Sequence, residues 1–417
     1  MGDWKLGEKK RRLLMPQYMA KFRCIGNECE DSCCVGWRVT IDEETYKKYR
    51  RVKEPELAGM FAKHVGRNRS QPSPAEHARV RMKKDGRCPF LTGESLCLIQ
   101  LRLGEEYLSN TCYTYPRTVN EVNGVLERSA TMSCPEAARL ALLNPEPMEF
   151  DLVEEMVPER TQIKTKVDSR ALAAANRPVR YFWEIRELAV DILQNRALPL
   201  DDRMVLLGMF CRRLGEAVEG GQVQEIPGIV DEYRRVQNDK ATAEMLAGVP
   251  TQVELQVKLA KELADERFAE GISSARYLEN FAWFLAGVGC VKGASFEDVA
   301  VRYRSAYEDY FVPFVREHGY ILENYLVNYV FRSLFPFDQK DIFDAFVMLA
   351  VHYAMIKLQL VGVGAFHKGL TQKLALRVIQ AFAKTVEHNT AYLTRIIELL
   401  TAGGYNTLPW MAILMKN

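Results

Sequence analysis

The placement of cysteine constrains this chain more than any other feature. Eight of its ten cysteines, Cys24, Cys29, Cys33, Cys34, Cys88, Cys97, Cys112 and Cys134, fall in the first third, and the rest of the chain holds only Cys211 and Cys290. Those two sit in the helical patterns MFCRRL and GVGCVKG, where a free thiol packs as a small apolar side chain. Disulfides persist mainly in oxidising compartments. The opening MGDWKLGEKKRRLLMPQY has a basic cluster at Lys9–Arg12 but neither the apolar stretch nor the cleavage site of a secretory signal. Leu6 stands where a myristoylation signal that begins at Gly2 needs Ser or Thr. These features read as a cytoplasmic chain whose clustered thiols hold metal.

The motif C-x4-C-x3-C-C puts four sulfurs within eleven residues, bracketed by the flexible Gly26 and Gly36. Cys88 and Cys134 each precede a proline, and CPEAARLAL reads as a helix start, a place that lowers a thiol's pKa toward the thiolate a metal needs. Thiolates suit zinc and iron–sulfur clusters alike, and the absence of a close C-x2-C pair favours the cluster. Trp37, beside Cys34, is placed to shield such a centre from water. The competing reading is thiols that only pack.

A length of 417 residues implies two or three domains. With 56 basic against 54 acidic residues, net charge draws the chain to neither nucleic acid nor an anionic membrane. Residues 1–145 show little periodicity beyond two short helical patterns, Asp42–Arg50 and Pro135–Leu143, which predicts an irregular cysteine-rich domain held by its metal. NPEPMEFDLVEEMVPERTQ, rich in Pro and Glu, reads as the start of a linker over residues 146–179. Over residues 180–417 a 3.6-residue apolar period takes hold in eight segments, from YFWEIRELAVDIL to TAYLTRIIELL. The fold is predicted to be mainly α, with an all-α bundle or array as its larger part. The apolar run Ala345–Phe366 is broken by His352, Lys357 and Gln359, which suits a buried helix better than a membrane span.

Read together, CIGNECEDSCCVGWRVTIDEETYKKY, CPFLTGESLCLIQLRLGEEYLSNTCYTYPR and SCPEAARL resemble the signature of the flagellin lysine N-methylase (FliB-type) family. The N-terminal part is also similar to small cysteine-rich zinc- or iron-chelating domains. RELAVDILQNRALPLDDRMVLLGMF, ENYLVNYVFRSLFPF and TVEHNTAYL extend the resemblance into the helical part. It implies S-adenosylmethionine-dependent methylation of lysine side chains on flagellin or another protein substrate in the cytoplasm. It further implies a [4Fe-4S] cluster on the N-terminal cysteines, and association of some members with membranes. Two other classes compete: a zinc-stabilised protein-binding scaffold without catalysis, and a redox sensor that reads oxygen through cluster loss.

Lysine methylation needs a neutral amine in line with the methyl group of a sulfonium, shielded from water. No strand followed by a Gly-rich turn marks a Rossmann-type cofactor site, and GVGAFHKG from Gly362 reads as a helix–helix corner. On ILENYLVNYVFRSLF, Asn324 and Asn328 form a polar stripe and Tyr325 and Tyr329 an aromatic one, able to orient an amine and hold a cation, or else to pack as core. Glu387 and His388 form a candidate acid–base pair, and Arg117 is a candidate partner for a cofactor carboxylate. The catalytic candidates are thus Tyr325, Asn328 and His388.

Overall fold

Asn123 and Gly124 carry the positive φ angles, 51° and 83°, of a tight hairpin turn. They join the strands Arg117–Val122 and Val125–Ala130, so the segment GVLERSATM belongs to a sheet. The computed structural model describes residues 8–269, 271–272 and 274–417, and the readings made on Gly2 and Leu6 lie outside them. A five-stranded sheet forms in the order Phe150–Pro158, Glu8–Pro16, Val125–Ala130, Arg117–Val122, Lys166–Val167. Glu8–Pro16 runs antiparallel to Phe150–Pro158 and parallel to Val125–Ala130.

This sheet corrects two expectations. The N-terminal region is not irregular, and the segment read as a linker contributes an edge strand paired along its whole length with the basic N-terminal strand. Ion pairs flank the pairing: Lys9 meets Glu159 at 2.9 Å and Lys10 meets Glu154 at 2.6 Å, while Arg11 reaches the other way to Glu121 on the strand Arg117–Val122 at 2.7 Å. The sheet also shares its interior with the helices. Leu13, Val119 and Leu126 belong to the same continuous core as Leu188, Phe210 and Phe346, so no core boundary falls between residues 145 and 180.

A second, smaller core lies under the cysteines, built from Ile41, Tyr49, Leu57, Phe61, Phe90, Ile99 and Leu108. Asp42 caps its first helix, Glu43–Arg51, by accepting from the Thr45 amide at 2.9 Å. A three-stranded sheet of Thr40–Ile41, Ala78–Val80 and Val65–Arg67 closes it. The second predicted N-terminal helix forms as Pro135–Leu142.

The remainder is helical, as the apolar period predicts, with further helices at Ile226–Val236, Lys240–Ala247, Val253–Ala269 and Leu408–Met415 that the eight segments did not include. Two predicted helices contain π-helical turns, at Tyr307–Phe311 and Ala383–Glu387. The central helix, Ile342–His367, is long and apolar enough to cross a membrane, but its apolar window is 100% buried inside the protein. Lys357 on it donates to Asp201 Oδ2 and to the Met415 carbonyl, both at 2.7 Å.

GVGAFHKG straddles the end of this helix: Gly362–His367 are its last turns, and Lys368, in the left-handed region, and Gly369 open the corner to the next helix. Gly362 lets the helix cross the helix Ala275–Gly287 in backbone contact: a Cβ on Gly362 would stand 2.8 Å from the Phe284 carbonyl oxygen. Gly362→Ala should therefore destabilise the fold by about 1–3 kcal/mol through overpacking. Thermal denaturation followed by circular dichroism checks this, and an unchanged midpoint would refute the close crossing.

Candidate functional site

Asp31, between Cys29 and Cys33, fastens the cysteine loop to the helical part. Its carboxylate takes both 2.9 Å contacts of the Lys384 ammonium and a 2.9 Å bond from Gln380 Nε2. Gln380 also donates to the Ser133 carbonyl at 2.8 Å, next to Cys134, and Lys384 to the Ser32 carbonyl at 3.0 Å. Lys384 belongs to the π-helical turn Ala383–Glu387, a backbone irregularity that recurs at functional sites. Loop and turn together wall a cleft of about 740 Å³, with Trp37, Arg87, Arg276, Lys384 and His388 on its sides.

The turn sends its two last candidates in different directions. Glu387 points inward, where Arg332 forms an ion pair with it and the Tyr325 hydroxyl donates to it at 2.7 Å. Burial pushes the Glu387 carboxyl up, but Arg332 and then His352 outweigh that and hold it below the usual carboxylate range. His352 lies 3.4 Å from the same hydroxyl, and burial lowers it to about 4, so its ring is neutral. His388 turns to the cleft, its Nε2 3.0 Å from Ser133 Oγ and 3.5 Å from Thr131 Oγ1. Burial, which outweighs the Glu387 charge, lowers its pKa, so the imidazole is neutral near pH 7.

The other candidates occupy supporting places. Asn328 accepts from the Tyr18 hydroxyl at 2.7 Å and donates to the Ala130 carbonyl at 3.1 Å, both buried. Asn324 donates to the Asn144 carbonyl at 2.8 Å, and the Tyr329 ring packs edge-on to His352 at 5.0 Å. The two stripes are interhelical ties and core, and Tyr325 reaches the site only through Glu387. Arg117 does not line the cleft: its guanidinium lies over the Phe22 ring, 5.1 Å from the centroid. Residues that the sequence reading passed over, Asp31, Arg332 and Lys384, connect the candidates. Asp31 shares the cysteine motif with Glu28 and Glu30, so nothing local singles it out, and Arg332 and Lys384 likewise carry no local signal.

All ten cysteines are free thiols, so the eight do not pair as bridges. They gather in two neighbourhoods whose members feel each other's charge. Cys24, Cys29, Cys33 and Cys134 form one, while Cys34, Cys88, Cys97 and Cys112 form the other, against the small core. Cys33 stands between the two, its charge felt by Cys29 and Cys134 on one side and by Cys34, Cys88, Cys97 and Cys112 on the other, and the Cys33 thiol is lowered while that of Cys34 is raised. Among the described residues, no three His, Cys, Asp or Glu side chains stand together closely enough to hold a metal ion. The donor set itself, thiols alone, has the chemistry of a soft-metal or iron–sulfur site. Burial pushes the thiols of Cys29 and Cys88 up to about 11, and those of Cys112 and Cys134 up to about 12. The helix N-terminus at Cys134 does lower that thiol through the Ala137 and Glu136 amides, but burial outweighs it, contrary to the expectation from sequence.

Across known proteins, the model of the FliB lysine N-methylase C-terminal domain matches residues 186–414. The chain belongs to the FliB lysine N-methylase family. Within it, the chain is similar to the lysine-N-methylases of Salmonella typhimurium and Salmonella choleraesuis, each 31% identical over 134 residues, which is 32% of this chain and 33% of the relative. It is also similar to the flagellar biosynthetic protein FliU of Salmonella muenchen, 30% identical over 134 residues, 32% of this chain and 78% of that one. The alignment thus spans a third of the length of the two lysine-N-methylases, 33%. No solved structure matches. In this FliB-family chain the matched domain contains Tyr325, Arg332, Lys384, Glu387 and His388, and the cysteine loop that faces them lies before it.

Proposed function

We propose that this chain transfers a methyl group from S-adenosylmethionine to lysine side chains of flagellin or a related surface protein, and that the cleft between cysteine loop and π-helical turn is where it does so. The observation that carries the reading is a neutral imidazole, His388, on the wall of a cleft of about 740 Å³ in a FliB-family chain. The relatives' names, lysine-N-methylase and flagellar biosynthetic protein, point to the substrate. S-adenosylmethionine supplies an electrophilic methyl on a sulfonium, which departs as a neutral thioether when the lysine nitrogen forms the new bond. Before that attack the lysine ammonium must lose a proton to free its nitrogen lone pair, and His388 is the group placed to take it. Ser133 orients the ring, and the Glu387–Arg332 pair fixes the turn that presents it. Trp37, held by its indole N–H on the Cys33 carbonyl and packed at a tilt against Tyr115 at 5.3 Å, offers the cleft an aromatic face for a purine.

We further propose that the eight N-terminal cysteines hold a thiolate-bound metal centre, a [4Fe-4S] cluster with zinc as the alternative. Thiols that burial keeps protonated lose protons when metal binds, so loading should release protons. Replacing Cys29, Cys33 or Cys34 by serine should remove metal and loosen the loop that Asp31 ties to Lys384. Iron and zinc counted per chain after anaerobic purification check this, and undiminished metal in all three variants would refute it. Stoichiometric zinc in a colourless protein would support the scaffold. For the activity, the protein is incubated with flagellin and methyl-labelled S-adenosylmethionine. Label on lysine is the expected result, and label that never reaches lysine would overturn the enzymatic reading.

A further inference from the structure

The walls of the cleft carry four carboxylates against five guanidinium groups and one ammonium. Three of the four carboxylates are moreover already held in ion pairs, and the fourth, Asp85, accepts from the backbone amide of Arg87 at 3.1 Å. Asp31 belongs to Lys384, Glu279 to Arg377, and Glu30 to Arg139, which lies outside the cleft. Among the described residues Arg276, on the helical wall, finds only the Glu30 carbonyl at 3.4 Å, and its buried Nε has no hydrogen-bond partner there. Arg87, on the cysteine wall, is exposed, and among the described residues no ion pair holds its guanidinium. Two cationic groups therefore face the cleft with hydrogen-bonding capacity left over.

An incoming lysine ammonium meets repulsion from such a wall. Nearby positive charge disfavours the ammonium form and so lowers the pKa of the amine, which helps a reaction that needs it neutral. The same repulsion opposes binding unless the peptide brings negative charge of its own. Guanidinium groups pair with carboxylates in fork geometry, and Arg87 and Arg276 stand on the two sides of the cleft. We infer that the cleft selects lysines flanked by aspartate or glutamate, with Arg87 and Arg276 receiving the flanking carboxylates. This rests on the reading that a lysine enters the cleft. A nucleic acid is the less fitting polyanion, since the chain's net charge is only +2 and the cleft wall mixes both signs.

Binding separates this inference from the methylation reading, because it needs no turnover. Fluorescent peptides with one central lysine, flanked by glutamate, serine or lysine, are titrated with the full-length protein at low salt and followed by anisotropy. The glutamate-flanked peptide should bind about tenfold more tightly than the serine-flanked one, and the advantage should shrink with added salt. Arg87→Glu, an exposed substitution, and the Arg87→Glu/Arg276→Glu double variant should reverse the order, with unchanged helical circular dichroism showing that each is folded. Equal affinity for all three peptides would overturn the inference, as would a preference that survives the double variant. Displacement of the acidic peptide by a DNA oligomer of equal charge at equal concentration would overturn it too, by showing unspecific polyanion binding. If the acidic preference holds but no peptide is ever methylated, the enzymatic reading fails and the binding specificity stands.

Discussion

His388→Ala should cut the turnover number for lysine methylation by about 100-fold or more while leaving the fold intact, because it removes a proton acceptor and little else. The side chain sits at the edge of the cleft, where its ring meets the Ser133 and Thr131 hydroxyls. Its loss should therefore cost less than about 1 kcal/mol of stability. The pH profile separates a base from a structural residue. Burial places the His388 pKa below its ordinary value of 6.5, and the base works only when neutral, so activity should rise with pH and reach its plateau at a lower pH than a solvent-exposed histidine would give. His388→Gln should preserve the contact with Ser133 yet lose this acid limb. Wild-type rates with either variant would remove His388 from the reaction.

Glu387→Ala and Arg332→Ala should each destabilise the protein by about 3–5 kcal/mol, since each leaves a buried charge without its partner. Side-chain exposure is 12% for Arg332 and 3% for Glu387, so water offers little compensation. Replacing both residues by methionine should recover much of that loss, as apolar groups of similar size need no partner. The pH dependence has a definite sign. Glu387 is held below its unfolded value, so the pair's stabilisation is present above the unfolded carboxylate pKa and is lost as pH falls through the lower, folded one. Thermal midpoints of the two single variants and the double variant, measured from pH 7 down into the carboxylate range, test this. Equal midpoints for wild type and single variants would show that the pair contributes nothing. Because Glu387 begins at the turn that carries His388, the single variants should lose activity as well, through misplacement of the imidazole.

Particular residues show how far local pattern reached. The helix Ile342–His367 was legible because its apolar residues recur with helical period, and Lys357 and His352 within it correctly marked burial with partners instead of lipid. The hairpin was legible in principle from Asn123–Gly124, a two-residue signal with a physical cause. The strand Phe150–Pro158 was not, because its acidic residues resemble a solvated linker until the basic strand Glu8–Pro16 is laid beside them. The π-helical turn at Ala383–Glu387 has the same apolar period as the α-helix before it, so nothing local foretold that Glu387 and His388 would face opposite ways.

Sequence alone determined the helical character of residues 180–417, the crowding of thiols at the front of the chain and the family resemblance, because each depends on residues close together along the backbone. Only the tertiary structure decided that Asp31 would meet Lys384 and that Glu387 would be spent on Arg332, leaving His388 to face a cleft. Asp31 and Lys384 are joined by the docking of two distant segments, and Arg332 reaches Glu387 from a different helix. Such pairings are chosen by burial and charge across the whole fold, which a local pattern does not encode.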